Sequence, residues 1–231
     1  MKEYPRILYV EDDPTLGFVT QDNLNRRGYN VMLCDDGEKG IKEFDNQKFD
    51  LIILDIMLPL LDGISIAKYI RKKNKEIPVI FLTAKGMLED KLEGLSSGAD
   101  DYIVKPFSIE ELVLKIEVFL KRARISSNPV SSVIVNVGKY VFNAEMLTLT
   151  INDTEYKLTL REAELLGYFV NNKEKLIARE DILKDIWGND DYFNGRSLDV
   201  FISRIRKYLK EDKKIKIENR HGIGFVFSIG E

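Results

Sequence analysis

The chain is poor in cysteine and has no long apolar run, and both absences narrow what it can be. Cys34 is the only cysteine among 231 residues, so no disulfide can form within one chain, and we expect a reducing compartment. No apolar run approaches the roughly 18 residues of a membrane-spanning helix. The first predicted strand begins close to Met1, which leaves no room for a signal peptide. We therefore expect a cytoplasmic protein that makes no contact with a membrane.

The net charge of -3 is also small, but it is unevenly distributed. Residues 1–122 carry 18 Lys and Arg against 22 Asp and Glu, whereas residues 123–231 carry 17 against 16. Within the second half, residues 196–220 hold nine basic and four acidic side chains. A basic cluster on a nearly neutral chain is a candidate surface for a polyanion, although a solvated helix face can have the same composition.

Four short apolar runs in the first half each end in polar residues of a different chemical kind. Continuous apolar runs separated by helical patterns are typical of buried strands. Five such strand–helix units predict an α/β fold with a doubly wound, five-stranded parallel sheet. Ligands of such a sheet bind beyond the carboxyl ends of its strands. The polar residues at the four strand ends are Glu11 with Asp12, then Asp55, Thr83 and Lys105.

These side chains have the chemistry of a phosphoryl-transfer site that uses a divalent cation. Mg²⁺ prefers oxygen ligands, and Asp12 and Asp55 are the best direct candidates, with Glu11 acting directly or through water. A carboxylate can attack phosphorus and form an aspartyl phosphate, and Asp55 stands alone at the end of the central strand. The Lys105 ammonium and the Thr83 hydroxyl would stabilise charge on the transferring group.

The sequence changes character near residue 124. Residues 124–132 are rich in Ser, Asn and Pro, which predicts a flexible linker between a domain of residues 1–123 and a domain of residues 133–231. The second domain begins with short strand patterns and ends in a hairpin, which together with three helices describe an α+β winged helix-turn-helix. The three helices are predicted near residues 160–170, 179–186 and 196–209.

The third of these helices has an apolar face and an open, basic face. One narrow apolar stripe would face the core and consists of Leu198, Ile202, Ile205 and Leu209. The opposite face would enter the major groove of double-stranded DNA, where Arg204 could read guanine edges and Val200 could touch a thymine methyl. The other DNA-binding candidates on this face and its flank are Arg196, Ser203, Arg206 and Lys207.

The first half resembles the receiver domain of bacterial two-component response regulators, which has a flavodoxin-like fold. The motifs that carry the resemblance are Val10-Glu11-Asp12-Asp13, Leu54-Asp55-Ile56-Met57-Leu58-Pro59, Asp62-Gly63, Leu82-Thr83-Ala84 and Gly98-Ala99-Asp100-Asp101-Tyr102-Ile103-Val104-Lys105-Pro106-Phe107. The resemblance implies that Asp55 accepts phosphate from a sensor histidine kinase, with Mg²⁺ held by Asp12, Asp55 and the main-chain carbonyl of Met57. It also implies a cis Lys105–Pro106 bond, and no catalysis beyond the receiver's own phosphotransfer and dephosphorylation.

The resemblance further implies how the phosphate would act. The hydroxyl of Thr83 would move toward the phosphoryl group, and Tyr102 would turn inward behind it. The closer likeness is to the OmpR/PhoB type, in which phosphorylation promotes a homodimer through the helix near 87–96, the strand of Tyr102 and the helix near 109–122. The charged pairs implied across its two-fold axis are Lys91 with Glu111, Asp101 with Lys115, and Asp100 with Arg122.

The second half resembles the DNA-binding domain of the same OmpR/PhoB family. The matching segments are Arg196-Ser197-Leu198-Asp199-Val200-Phe201-Ile202-Ser203-Arg204-Ile205-Arg206-Lys207-Tyr208-Leu209, Trp187-Gly188 and Gly222-Ile223-Gly224-Phe225. The family inserts a wing into the minor groove, usually with an arginine at its tip. His221 stands at that position with Arg220 just before it, and either residue could make the contact. Residues 188–195 lie where relatives contact RNA polymerase, which is therefore a further expected partner.

Two other interpretations remain open on the sequence alone. One is an enzyme that transfers phosphoryl groups to or from small molecules, although no nucleotide-binding loop of Walker type is present. A haloacid-type phosphatase would also need a second aspartate where Met57 stands. The other is a DNA-binding protein whose receiver is only a scaffold. Phosphorylation that depends on Asp55 would separate these alternatives from a phosphorylation-controlled transcriptional regulator.

Overall fold

The computed structural model of the chain describes residues 4–84, 98–125, 134–187 and 192–230. These residues belong to two compact units, Met1–Ile125 and Ser126–Glu231, which we call the first and second unit. Within the described ranges, no helix combines the length and apolar character needed to cross a bilayer. The helix expected near 87–96 and most of the expected linker lie outside the described residues.

The first unit contains the predicted parallel sheet. Its strands are β1 (Arg6–Val10), β2 (Asn30–Cys34), β3 (Leu51–Asp55), β4 (Val79–Ala84) and β5 (Asp101–Lys105). Its described helices are α1 (Pro14–Arg26), α2 (Gly37–Asn46), α3 (Gly63–Lys73) and α4 (Ile109–Ile125). The strands lie in the order β2-β1-β3-β4-β5, all parallel. The central strand β3 is buried at every position, as expected of a strand covered on both faces.

Side-chain caps start the helices that follow β1 and β3. Asp13 accepts hydrogen bonds from the backbone N–H groups of Thr15 and Leu16 at the start of α1. Asp62 caps α3 in the same way, accepting from the N–H of Ser65 at 2.8 Å. The two loops that leave the carboxyl ends of these strands are therefore anchored at their helical ends.

The second unit combines two antiparallel sheets with three helices, as predicted for a winged helix-turn-helix. Its strands are β6 (Ile134–Val137), β7 (Tyr140–Asn143), β8 (Thr148–Ile151), β9 (Thr154–Lys157), β10 (Leu176–Ala178), β11 (Ile215–Arg220) and β12 (Gly224–Ile229). Its described α-helices are α5 (Leu160–Asn171), α6 (Arg179–Trp187) and α7 (Tyr192–Tyr208). The sheets have the orders β6-β7-β8-β9 and β10-β12-β11. Helix α5 starts with a capping box of Thr159 and Glu162.

The structure differs from the predicted boundaries at three places. Helix α4 continues to Ile125, into the first residues of the predicted linker, because neither glycine nor proline interrupts its pattern before Pro129. Helix α7 begins at Tyr192, earlier than predicted. Strand β10 was not predicted, since three residues carry too little periodicity. It pairs closely with β12, and a Cβ atom on Gly224 would lie 1.9 Å from the carbonyl oxygen of Ile177.

Candidate functional site

The ends of β1 and β3 bring three carboxylates together. The two strands are parallel neighbours with Val10 opposite Leu54, so the residues that follow them meet at one edge of the sheet. One carboxylate oxygen each from Glu11, Asp12 and Asp55 lies within 4.8 Å of the others. Glu11 and Asp55 are buried, whereas Asp12 is exposed. The three predicted acidic residues therefore form one cluster that opens to solvent through Asp12.

Lys105, at the end of β5, joins this cluster. Its ammonium nitrogen lies 2.7 Å from each carboxylate oxygen of Glu11 and 2.6 Å from Oδ2 of Asp55. Burial acts to lower the pKa of Lys105, but its hydrogen bonds to Asp55 and Glu11 outweigh burial and raise the pKa. The lysine is therefore held in its charged form. The Lys105–Pro106 bond is cis, as the resemblance implied.

The loop after β3 orients the Asp55 carboxylate. The backbone N–H of Met57 donates to Oδ1 of Asp55 at 2.9 Å, while Oδ2 accepts from Lys105. The loop closes where the N–H of Gly63 donates to the carbonyl of Ile56 at 3.1 Å. A Cβ atom on Gly63 would lie 2.1 Å from the carbonyl oxygen of Asp55, so this approach requires glycine. Hydrogen-bond donors therefore hold both oxygens of the Asp55 carboxylate: the Met57 N–H and the Lys105 ammonium.

The two expected switch residues lie on the strands next to Asp55. Leu82 of β4 is paired with Asp55, and Thr83 follows it as a fully buried residue. Among the described residues, the Thr83 hydroxyl makes one long hydrogen bond, 3.4 Å, to the carbonyl of Ala84. Tyr102 of β5 is buried. Thr83 therefore lies on β4, directly after the residue that is paired with Asp55.

The residues expected at a dimer face are only partly placed as the resemblance implied. Lys115 forms its ion pair with Asp101 within the chain, at 2.8 Å, and Glu111 is exposed. Asp100 is buried, with Oδ2 accepting from Arg71 at 2.5 Å and from the N–H of Val79 at 2.9 Å. One oxygen of this carboxylate is therefore engaged within the chain, and the pair of Asp100 with Arg122 across a two-fold axis stays a prediction. The other two charges named for this face, Lys91 and the side chain of Arg122, lie outside the described part of the chain.

One expected reader on helix α7, Arg204, is held by a carboxylate of the same unit. Arg204 points into the domain, with Nη1 3.1 Å from Glu162 and the guanidinium 5.1 Å from the ring centre of Phe201. Arg204 takes this orientation because the buried carboxylate of Glu162, 42 residues earlier, needs a cation. The reading of guanine edges by Arg204 stays a prediction. A helical wheel does not register so distant a partner.

The remaining predicted residues of α7 lie toward solvent. Ser203 and Lys207 are exposed, and Val200 is partly exposed. Arg206 is exposed, but its guanidinium also donates to the carbonyl of Ile217 on β11 at 2.6 Å. The side chain of Arg196 lies outside the described residues. The open face thus keeps two basic residues in its described part, Arg206 and Lys207.

The turn between β11 and β12 forms the expected wing. Arg220 pairs with Glu218 at 2.9 Å, His221 is exposed, and Gly222 has a φ of 72° with open space around it. Both candidates for the tip contact are therefore accessible. Of the loop expected at RNA polymerase, residues 188–191 lie outside the described chain.

Sequence reasoning missed Arg179, which joins the wing to helix α7. Its two terminal nitrogens bind the two carboxylate oxygens of Asp199 at 2.8 and 2.7 Å. Its backbone N–H donates to Ile223 at 3.1 Å, and its guanidinium lies 5.8 Å from the ring centre of Phe225. The only signal in the sequence is a cation in the first turn of α6, where the helix dipole disfavours it.

Comparisons with known proteins match both units. Residues 7–117 match the family described as Response regulator receiver domain, and residues 153–227 match Transcriptional regulatory protein, C terminal. The transcriptional regulatory protein RprY of Bacteroides fragilis (strain YCH46) is 47% identical over 225 residues, which cover 97% of this chain and 95% of RprY. The likeness therefore extends over both units in the same order.

Two solved structures span the same length. A RitR mutant matches with a TM-score of 0.75 at 25% identity, covering 98% of this chain and 100% of that one. The response regulator DrrB of Thermotoga maritima, described as an OmpR/PhoB homolog, matches with a TM-score of 0.52 at 28% identity, covering 98% and 100%. The chain therefore belongs to the OmpR/PhoB family of two-component response regulators and is a DNA-binding transcriptional regulator.

Proposed function

We propose that Asp55 is the residue through which a sensor histidine kinase controls this regulator. The observation that carries the proposal is the position of its carboxylate, 2.6 Å from the Lys105 ammonium and inside the acidic cluster. A carboxylate oxygen of Asp55 attacks the phosphorus of a phosphohistidine, the phosphorus–nitrogen bond breaks, and the imidazole leaves with the electron pair. The product is an aspartyl phosphate on this chain.

The acidic cluster fits Mg²⁺ as the cofactor of this transfer. Three carboxylate oxygens converge, and exposed Asp12 leaves the cluster open to water, as a partly hydrated Mg²⁺ requires. Glu11, Asp12, Asp55 and the main-chain carbonyl of Met57 would hold the ion, which when bound offsets negative charge on the phosphoryl oxygens. Lys105 adds a second positive charge that the protein itself positions.

Phosphate on Asp55 would change the face that carries Tyr102. The hydroxyl of Thr83 turns toward a phosphoryl oxygen, and Tyr102 packs behind it. The altered face then favours a homodimer, with Asp101 and Lys115 exchanging their bond within the chain for bonds across the two-fold axis. The second pair of this face is Lys91 with Glu111.

We place sequence reading on the open face of α7 and at the wing. Val200 and Ser203 face base edges, and Lys207 lies against phosphates. Arg179 sets the orientation of wing and helix through Asp199. The other residues assigned to DNA are Arg196, Arg206, and Arg220 or His221 at the wing tip. RNA polymerase would contact residues 188–195. Because the protein would bind promoters, we expect it in the cytoplasm.

The chain would catalyse only its own phosphorylation and dephosphorylation. A phosphatase of the haloacid type needs a general acid two residues after the nucleophile, and Met57 there offers a thioether with an exposed side chain. Because a DNA-binding unit follows the receiver in the same chain, an aspartyl phosphate here can act as a signal. Regulation is therefore favoured over small-molecule catalysis.

Labelling with acetyl phosphate tests the proposal. Wild-type protein with Mg²⁺ should form an acid-stable, base-labile phosphoryl adduct, detectable as a mass increase, and Asp55→Asn should form none. Asp50→Asn is the matched control, because Asp50 precedes the same strand at its opposite end and binds the N–H of Arg6. Equal labelling of wild type and Asp55→Asn, or no labelling of either, would favour the scaffold interpretation.

A further inference from the structure

A buried hydroxyl lies directly behind the acidic cluster. Tyr9 of β1 is fully buried, and its phenol donates a hydrogen bond to Oε2 of Glu11 at 3.0 Å. Glu11 directly follows β1, two positions after Tyr9, so the alternation of the strand directs both side chains to the same face of the sheet. The phenol therefore reaches Glu11 from inside the protein, on the side away from solvent.

The phenol matters because Glu11 has few donors. Its carboxylate is buried and shares one cation, Lys105, with Asp55. When Lys105 turns to a phosphoryl oxygen, Tyr9 remains as a neutral donor that cannot leave the strand. A phenylalanine would fill the same apolar space without a hydroxyl that needs a partner. The hydroxyl thus has a use that packing alone does not supply.

We propose that Tyr9 is a positioning residue that fixes Glu11 for divalent-cation binding. The inference rests on the Mg²⁺ site of the proposed function. Tyr9 donates to Oε2 and so helps to fix the plane of a carboxylate whose two oxygens both contact Lys105. Partners of this kind fix the orientation of a ligand and raise the affinity of a site for its metal.

Calorimetric titration of the full-length protein with Mg²⁺ and with Mn²⁺ tests this role. Tyr9→Phe should weaken binding of both ions by about ten-fold or more, the usual effect of losing such a partner. The control is Tyr140→Phe, which removes a buried phenol that donates to the Tyr208 carbonyl at 2.8 Å in the second unit. Its ion affinity should equal that of wild type.

A double-mutant comparison separates positioning from a general loss of packing. In a Glu11→Ala background, Tyr9→Phe should cause no further loss of affinity, because its target is gone. Unchanged or tighter ion binding by Tyr9→Phe, or an equal loss in both backgrounds, would overturn the inference. If wild type itself bound neither ion, the proposed Mg²⁺ site would fail, which is a different result from a wild type that binds and a variant that binds equally well.

Discussion

In the first unit the charges of the site come from the ends of neighbouring strands, whereas in the second unit they lie along one helix. Glu11, Asp55 and Lys105 meet because parallel strands end at one edge of a sheet. On α7, Arg204 turns inward to Glu162, and Asp199 is held by Arg179. Topology is enough to place a strand-end residue, while a residue on a helix face also depends on partners from distant segments.

The largest expected effect separates Arg204 from Lys207 on the same helix. Arg204→Ala leaves the buried carboxylate of Glu162 without its cation, which should cost roughly 3–5 kcal/mol of unfolding free energy. Lys207→Ala, on the exposed face, should leave stability nearly unchanged. Urea unfolding followed by the fluorescence of Trp187, the single tryptophan, reports on the second unit alone. Equal stability of the two variants would mean that the ion pair of Arg204 with Glu162 does not stabilise the second unit.

DNA binding should respond clearly to the change at Lys207, which hardly affects stability. Lys207→Ala should weaken binding uniformly across sequences and reduce the salt dependence of log K by about one. The measurement is fluorescence anisotropy on a labelled fragment at several salt concentrations. An unchanged slope would mean that Lys207 touches no phosphate.

Arg179 tests whether the wing and α7 are coupled. The pair with Asp199 is exposed, so Arg179→Ala should change stability by no more than about 1 kcal/mol. DNA affinity should nevertheless fall several-fold, because Asp199 is left as an unpaired negative charge beside the phosphates. The double variant Arg179→Ala with Asp199→Ala should recover part of that loss in the same anisotropy assay. No recovery would mean that Arg179 acts independently of Asp199.

In the second unit, two backbone N–H groups hold the Asp212 carboxylate in place. Its hydrogen bond from the N–H of Lys139, with a second from Lys214, lowers the pKa of this carboxyl. Stability from a lowered carboxyl pKa is present above the ordinary value and lost as pH falls through the folded value. Asp212→Asn should therefore be less stable than wild type at neutral pH, and the difference should shrink in acid. A difference that stays constant from neutral pH into acid would contradict this assignment.

The smallest expected effect concerns the dimer face of the first unit. Lys115→Ala should weaken the beryllofluoride-induced dimer by only about 0.2–1 kcal/mol, because the bond across the two-fold axis replaces one that Lys115 already makes with Asp101 within the chain. Lys72→Ala, an exposed lysine on α3, serves as control. Sedimentation velocity measures both. A Lys115→Ala dimer as stable as the control would leave the Asp101 pair within the chain.

Much of the first unit could be predicted from the sequence because its signals are local. Each strand is a continuous apolar run, and the group that ends it lies within the same short segment, as for Asp55 and Lys105. The inward turn of Arg204 and the burial of Asp100 against Arg71 depend on residues far along the chain, so no periodicity indicates them. Strand β10 is too short to carry a pattern.

The central claim, that the site at Asp55 controls occupancy of DNA by α7, is tested most directly by one affinity measurement. A DNA fragment selected from a random library by the wild-type protein is titrated at fixed salt, with and without acetyl phosphate and Mg²⁺, for wild type and Asp55→Asn. We predict that acetyl phosphate raises the affinity of wild type and leaves Asp55→Asn unchanged. An equal response of the two proteins, or no response of wild type, would contradict the account.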